Sequence, residues 1–158
     1  MLHLVLFSLL AFVFVDTAKE YLLCNSSNLE VRYSLHDENN HPNFYMHPCV
    51  IDTKTEINFS MSWIPRIDLH VIYLTVDTWL QSAKVFEYKY EICSGTDHEF
   101  PFCGALKGET ITISIVKVPR HVPYFTGSLI AKLLIFAGEQ KELAVGCNVT
   151  FFVKKYIL

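Results

Sequence analysis

Ile57-Asn58-Phe59-Ser60-Met61-Ser62-Trp63 alternates large apolar side chains with small polar ones at every step. Successive side chains leave an extended backbone on opposite sides, so a period of two marks a β-strand with one face buried and one in water. Ile57, Phe59, Met61 and Trp63 share the buried face, and Pro65, which has no N–H to give to a ladder, stops the strand soon after.

The same alternation spreads outward from this segment. Over 70–80 it puts Ile72, Leu74, Val76 and Leu80 on one side. Over 85–93 it sets Phe86, Tyr88, Tyr90 and Ile92 against Glu87, Lys89 and Glu91, and over 109–118 it sets Ile111, Ile113 and Ile115 against Thr110, Thr112 and Ser114. Further strands are expected at 29–35, 44–51, 128–136 and 144–153. Turn-forming residues lie at Asp37–Pro42, Ser94–Asp97 and Ala137–Glu139. About eight short strands with this spacing predict an all-β, immunoglobulin-like antiparallel β-sandwich. Helical periodicity is weak throughout, and at most a single helical turn is expected near Lys107–Glu109.

The apolar faces carry Phe44, Met46, Phe59, Met61, Trp63, Leu74, Phe102, Ile111, Ile115, Leu129, Leu133 and Phe151. Hydrophobic residues make up 51% of the 158 and charged ones only 18%, more apolar than ordinary domains. A sandwich of this size needs a core, and the surplus has either to pack or to bind something. Alternation alone does not distinguish a filled interior from an open one.

Residues 1–18 read as a secretory signal peptide. The apolar run that ends at Val15 is closed by Asp16, and it is shorter than the roughly 17–25 residues that span a bilayer. Residues 19–158 are then one mature, secreted, extracellular domain. Sequons at Asn25, Asn58 and Asn148 suit a glycoprotein. Cys24, Cys49, Cys93, Cys103 and Cys147 have no C-x-x-C spacing, so in a secreted chain they read as bridges with one thiol left over. Cys93 and Cys103 flank a short polar loop and are the easiest local pair. The other pairings stay open on spacing alone.

Several functions are excluded or disfavoured. A net charge of −3 with no basic stripe argues against nucleic acid. No nucleophile elbow, zinc-helix, P-loop or dinucleotide motif occurs, so no enzyme and no cofactor is expected. His36, His41 and His47 lie near Asp37 and Glu38, but their spacing fits no common metal motif.

Four motifs carry a resemblance. They are Cys24-Asn25-Ser26-Ser27, Trp63-Ile64-Pro65-Arg66-Ile67-Asp68-Leu69, Ile92-Cys93-Ser94-Gly95-Thr96-Asp97 and Phe102-Cys103-Gly104-Ala105-Leu106-Lys107-Gly108-Glu109-Thr110. Together they resemble the co-receptor branch of the ML lipid-recognition family. The likeness runs from about Cys24 to Gly127 and more loosely to Val153, and the 102–110 run is its specific part. What the resemblance implies is a sandwich opened into a hydrophobic cup that takes the acyl chains of a lipid such as lipid A of lipopolysaccharide. The pocket positions it implies are Val31, Phe44, Met46, Val50, Phe59, Met61, Leu74, Phe102, Ile111, Ile115, Leu129 and Leu133. Phe151 joins them if Asn148 faces outward.

By the same resemblance Lys89 and Arg120 stand at the headgroup rim, while Tyr88, Glu56 and Pro123 occupy positions where other basic residues would be expected. The implied partner is the leucine-rich-repeat ectodomain of Toll-like receptor 4, in innate immune and inflammatory signalling. Its implied contacts are Arg66, Lys107, Asp97, His98, Glu99, Phe100, Tyr124 and Phe125. The sister branch, which partners the radioprotective receptor, and the sterol carriers of the wider family are the alternatives. The resemblance also implies bridges Cys24–Cys49 and Cys93–Cys103, and it sets His36 where the usual partner of Cys147 would stand.

Overall fold

Every segment read as alternating is a strand in the structure, a computed structural model that describes residues 19–95, 100–119 and 125–155. In chain order the strands are β1 (Glu20–Asn25), β2 (Leu29–Leu35), β3 (Asn43–His47), β4 (Ile57–Trp63), β5 (Val71–Leu80), β6 (Ala83–Ser94), β7 (Ile111–Lys117), β8 (Gly127–Ala137) and β9 (Glu142–Val153). Two expectations shift. The strand expected over 44–51 ends at His47, because Pro48 follows and has no N–H to donate. The segment 107–109 forms a turn, and the described residues contain no helix. β1 is an addition to the expected strands, since its apolar residues Tyr21 to Cys24 show no alternation.

The strands form two antiparallel sheets. One has six strands in the order β1-β2-β9-β8-β5-β6, and the other has three in the order β3-β4-β7. Gln81 and Ser82, both with positive φ, make the two-residue turn of the long β5–β6 hairpin. The backbones of the two sheets come close where β1 meets β3. There Cys24 of β1 is bridged to Cys49, just after β3. A second bridge, Cys93–Cys103, ties the end of β6 to the loop before β7. Among the described residues β6 and β7 are not paired, so the two sheets are fastened on one side and at one end and are unpaired along the other side.

Two clusters fill the fastened part. The larger joins Met61, Trp63 and Ile111 of the small sheet to Ile72, Ala137, Ala144 and Val145 of the large one, with Leu69 and Cys93. The smaller gathers Tyr33, Leu35 and Cys147, with Phe44 reaching across from the other sheet. The Trp63 indole N–H donates to the Asn40 side-chain oxygen at 2.7 Å, and the Asn40 amide donates to the Ala144 carbonyl at 2.6 Å. A polar relay thus connects β4 to β9 across the core.

Candidate functional site

Register decides which side chains look into the space between the sheets. On the small sheet Phe44 lies opposite Met61, Met46 opposite Phe59, and Ile113, Ile115 and Ile111 opposite Met61, Phe59 and Trp63. On the large sheet one row runs Val31, Phe151, Leu129, Leu80, and the next runs Tyr33, Val149, Ala131, Thr78, Phe86. A third runs Leu35, Cys147, Leu133, Val76, Tyr88. Leu74 sits between Ile135 and Tyr90. Partners across a ladder share a face, so both sheets turn an apolar face inward.

These faces do not meet everywhere. Leu74, Val76, Leu80, Leu129 and Phe151 point inward but belong to neither core cluster, and each is only half-buried. On the two strands that flank the opening, inward residues are more exposed still: Ile115 at 44%, and Phe86, Tyr88 and Tyr90 at 53%, 43% and 46%. The rings of Phe86, Tyr88 and Tyr90 stack in file, with centroids 6.1 and 5.9 Å apart. A closed sandwich would have covered these side chains against the facing sheet. Among the described residues the β6–β7 side is therefore an apolar opening onto half-covered aliphatic walls.

The structure brings most of the expected pocket residues onto these walls. Met61 and Ile111 are buried at the closed end, and Phe102 packs there against the larger cluster, forming a floor. Val31 is fully covered between β1 and β9, and Val50 is half-buried beyond the Cys24–Cys49 bridge. Phe151 lies inside, because Asn148 pairs with Ser34 and Lys132 on the outer face. Sequence reading named the alternation of β6 but did not assign Phe86, Tyr88 and Tyr90 to the pocket side. Their register against Val76 and Leu74 was the missing information. Lys117 was also overlooked, and it lies opposite Ile57 at the end of the inward row of β7.

The charged residues are arranged differently. Lys89 sits on the outer face of β6, opposite Thr75, with its Nζ 2.8 Å from the Glu87 carboxylate. Lys84 and Lys89 hydrogen-bond that carboxylate and hold it down to about 2. Arg66 is exposed, donates to the Asn39 carbonyl and lies 3.3 Å from Asp37. The Lys107 backbone N–H donates to Asp68 at 2.9 Å, and Leu69 and Gly108 bond across to Ala105 and Pro65, so the Arg66 and Lys107 loops form one surface. Phe100 stacks on Phe102 at 5.4 Å beside it. Phe125 is half-buried. Arg120, Asp97, His98, Glu99, Tyr124 and residues 1–18, expected as the leader, lie outside the described residues.

The three early histidines do not converge: His36 packs over Gly146, His41 stands edge-on to Tyr21, and His47 stacks on Tyr45. No group of three possible metal ligands occurs among the described residues. Cys147 has no disulfide partner, and burial pushes its thiol up to about 11.

A two-sheet sandwich bolted along one side and apolar inside where it parts is the architecture of the ML domain. The fold of chicken MD-1, solved in complex with lipid IVa, matches with a TM-score of 0.74 at 18% identity, over 86% of this chain and 98% of that one. No family model matches the chain. Among curated proteins, Cricetulus griseus lymphocyte antigen 96 is 35% identical over 152 residues, 95% of each chain. Human lymphocyte antigen 96 is 28% identical over 90% of this chain and 91% of the relative. Human lymphocyte antigen 86 is 32% identical over 67% of this chain and 64% of its own length. The chain belongs to the lymphocyte antigen 96 family.

Proposed function

We propose that this chain is a secreted co-receptor that holds the acyl chains of a lipid A-like ligand between its sheets and associates with Toll-like receptor 4 in innate immune signalling. The observation that carries the reading is the set of inward, half-covered apolar side chains from Leu74 to Phe151, next to a mouth lined by Ile115 and Tyr88. Each methylene moved from water into such a space gains about 0.8 kcal/mol. One chain of a dozen carbons thus gains about 9 kcal/mol before the costs of ordering are subtracted. The solved complex of chicken MD-1 with lipid IVa supports an acylated ligand. Receptor pairing through Arg66, Lys107 and Phe100 is supported by their gathering on one exposed surface. Residues 1–18 act as a removable leader, and Asn25, Asn58 and Asn148 carry glycans.

Titration of lipid IVa into the purified protein tests the ligand. Ile115→Glu puts a charge on an inward but exposed position, so it should weaken uptake at least about tenfold while leaving the melting temperature nearly unchanged. Equal uptake by both proteins, or none by either, would count against the cup. Co-precipitation with the Toll-like receptor 4 ectodomain, lost in Arg66→Glu, tests the receptor. The similarity to lymphocyte antigen 86 favours a second reading, pairing with the radioprotective receptor. The same co-precipitation run with that ectodomain separates the two.

A further inference from the structure

The edge strand β6 is the most unusual surface of the molecule. Among the described residues it is bonded on one side only, to β5, and none of them makes a backbone bond to the other side of Phe86–Tyr90. Val85, Phe86, Tyr88 and Tyr90, all strongly exposed, lie together on it. An open edge with exposed aromatics is a template for another strand, and proteins usually blunt such edges with charge. Here the charges are self-complementary.

We infer that β6 joins two copies of this chain, antiparallel, about a two-fold axis through Tyr88. In that register Glu87 of one copy faces Lys89 of the other and the reverse, Phe86 faces Tyr90, and Tyr88 faces its own image. Shifting by one residue would set the aromatic face of one copy against the charged face of the other, which loses both the ring contacts and the charge pairs. Shifting by two sets Glu87 against Glu87 in one direction, or Lys89 against Lys89 with Glu87 against Glu91 in the other. Like charges directly opposite are destabilising, so the pattern from Phe86 to Glu91 selects one register over its neighbours. Regular pairing in this part of β6 is bounded by bulges beyond Phe86 and Glu91, which limits the joint to this central stretch.

The two-fold axis stands normal to the sheet, so both three-stranded sheets lie on the same side of a continuous sheet of twice six strands. The two mouths then open toward each other beneath a file of six rings. The joint covers the aromatic residues that a monomer leaves in water.

Sedimentation velocity on the full chain, secreted from eukaryotic cells and run from about 1 to about 100 µM, reads the association expected of a small interface. The mass should rise toward twice the monomer value with concentration. Glu87→Lys and Lys89→Glu, each folded by near-ultraviolet circular dichroism, should raise the dissociation constant at least about tenfold, since each change creates two like-charge pairs. The double swap Glu87→Lys with Lys89→Glu should restore association to within about threefold of the original. A protein that stays monomeric over the whole range overturns the inference. So does a dimer indifferent to the single swaps, or a double swap that restores nothing.

Discussion

Asn40 and Cys147 show how much single residues hold in this fold. Asn40 accepts from the buried Trp63 indole and donates to the Ala144 carbonyl, so one short amide satisfies polar groups on both sheets. Asn40→Ala should cost about 2–3 kcal/mol by denaturant unfolding, because it strands a buried donor and an acceptor together. Asn40→Asp keeps the acceptor for Trp63 but turns a carboxylate oxygen onto the Ala144 carbonyl, so it should not recover the loss. Cys147 faces the interior opposite Leu35 and Leu133 and is 4% exposed. Burial favours its neutral thiol and lifts its pKa from 9.0 to about 11. The folded-state value is the raised one, so its contribution to stability is complete below pH 9 and is lost as pH climbs toward about 11. That loss amounts to about 2–3 kcal/mol. Unfolding midpoints measured near pH 8 and pH 10.5 should fall less in Cys147→Val than in the parent. An equal fall in both would show that the thiol does not titrate in this way.

At the scale of elements, the two disulfides do separate jobs. Cys24–Cys49, spanning 25 residues, clamps β1 to the segment after β3, and Cys93–Cys103 clips β6 to the loop before β7. Opening the first by Cys24→Ser with Cys49→Ser should cost about 3–4 kcal/mol in the chain-entropy account. It should also loosen the side that holds the sheets together, and thermal melting of the double variant checks the cost. The strands themselves were legible because alternation is a local signal: β4, β5, β6 and β7 each announce their faces within seven residues. β1 is not legible, since Tyr21, Leu22, Leu23 and Cys24 follow one another with no period of two. The end of β3 was misjudged because apolar residues continue past Pro48, and the backbone rather than the side chains ends the strand there.

At the scale of the whole molecule, what alternation could not reveal is the distance between the sheets. Phe59 and Ile115 share one inward row, yet Phe59 packs toward the larger cluster and Ile115 is left 44% exposed. That contrast depends on which strands lie at the free edges, a long-range property of topology. The same holds for Tyr88, whose inward direction follows only from its pairing with Val76. Family resemblance filled part of this gap for the aliphatic wall and none of it for the aromatic file of β6. Apolar side chains left half-covered along an open side gain free energy when a hydrocarbon chain covers them. Native mass spectrometry of the protein as secreted, without added ligand, therefore addresses the central claim most directly. The account expects a population carrying adducts of acylated lipid, displaced by lipid IVa and reduced in Ile115→Glu. A protein that emerges lipid-free and takes up no lipid IVa would contradict it.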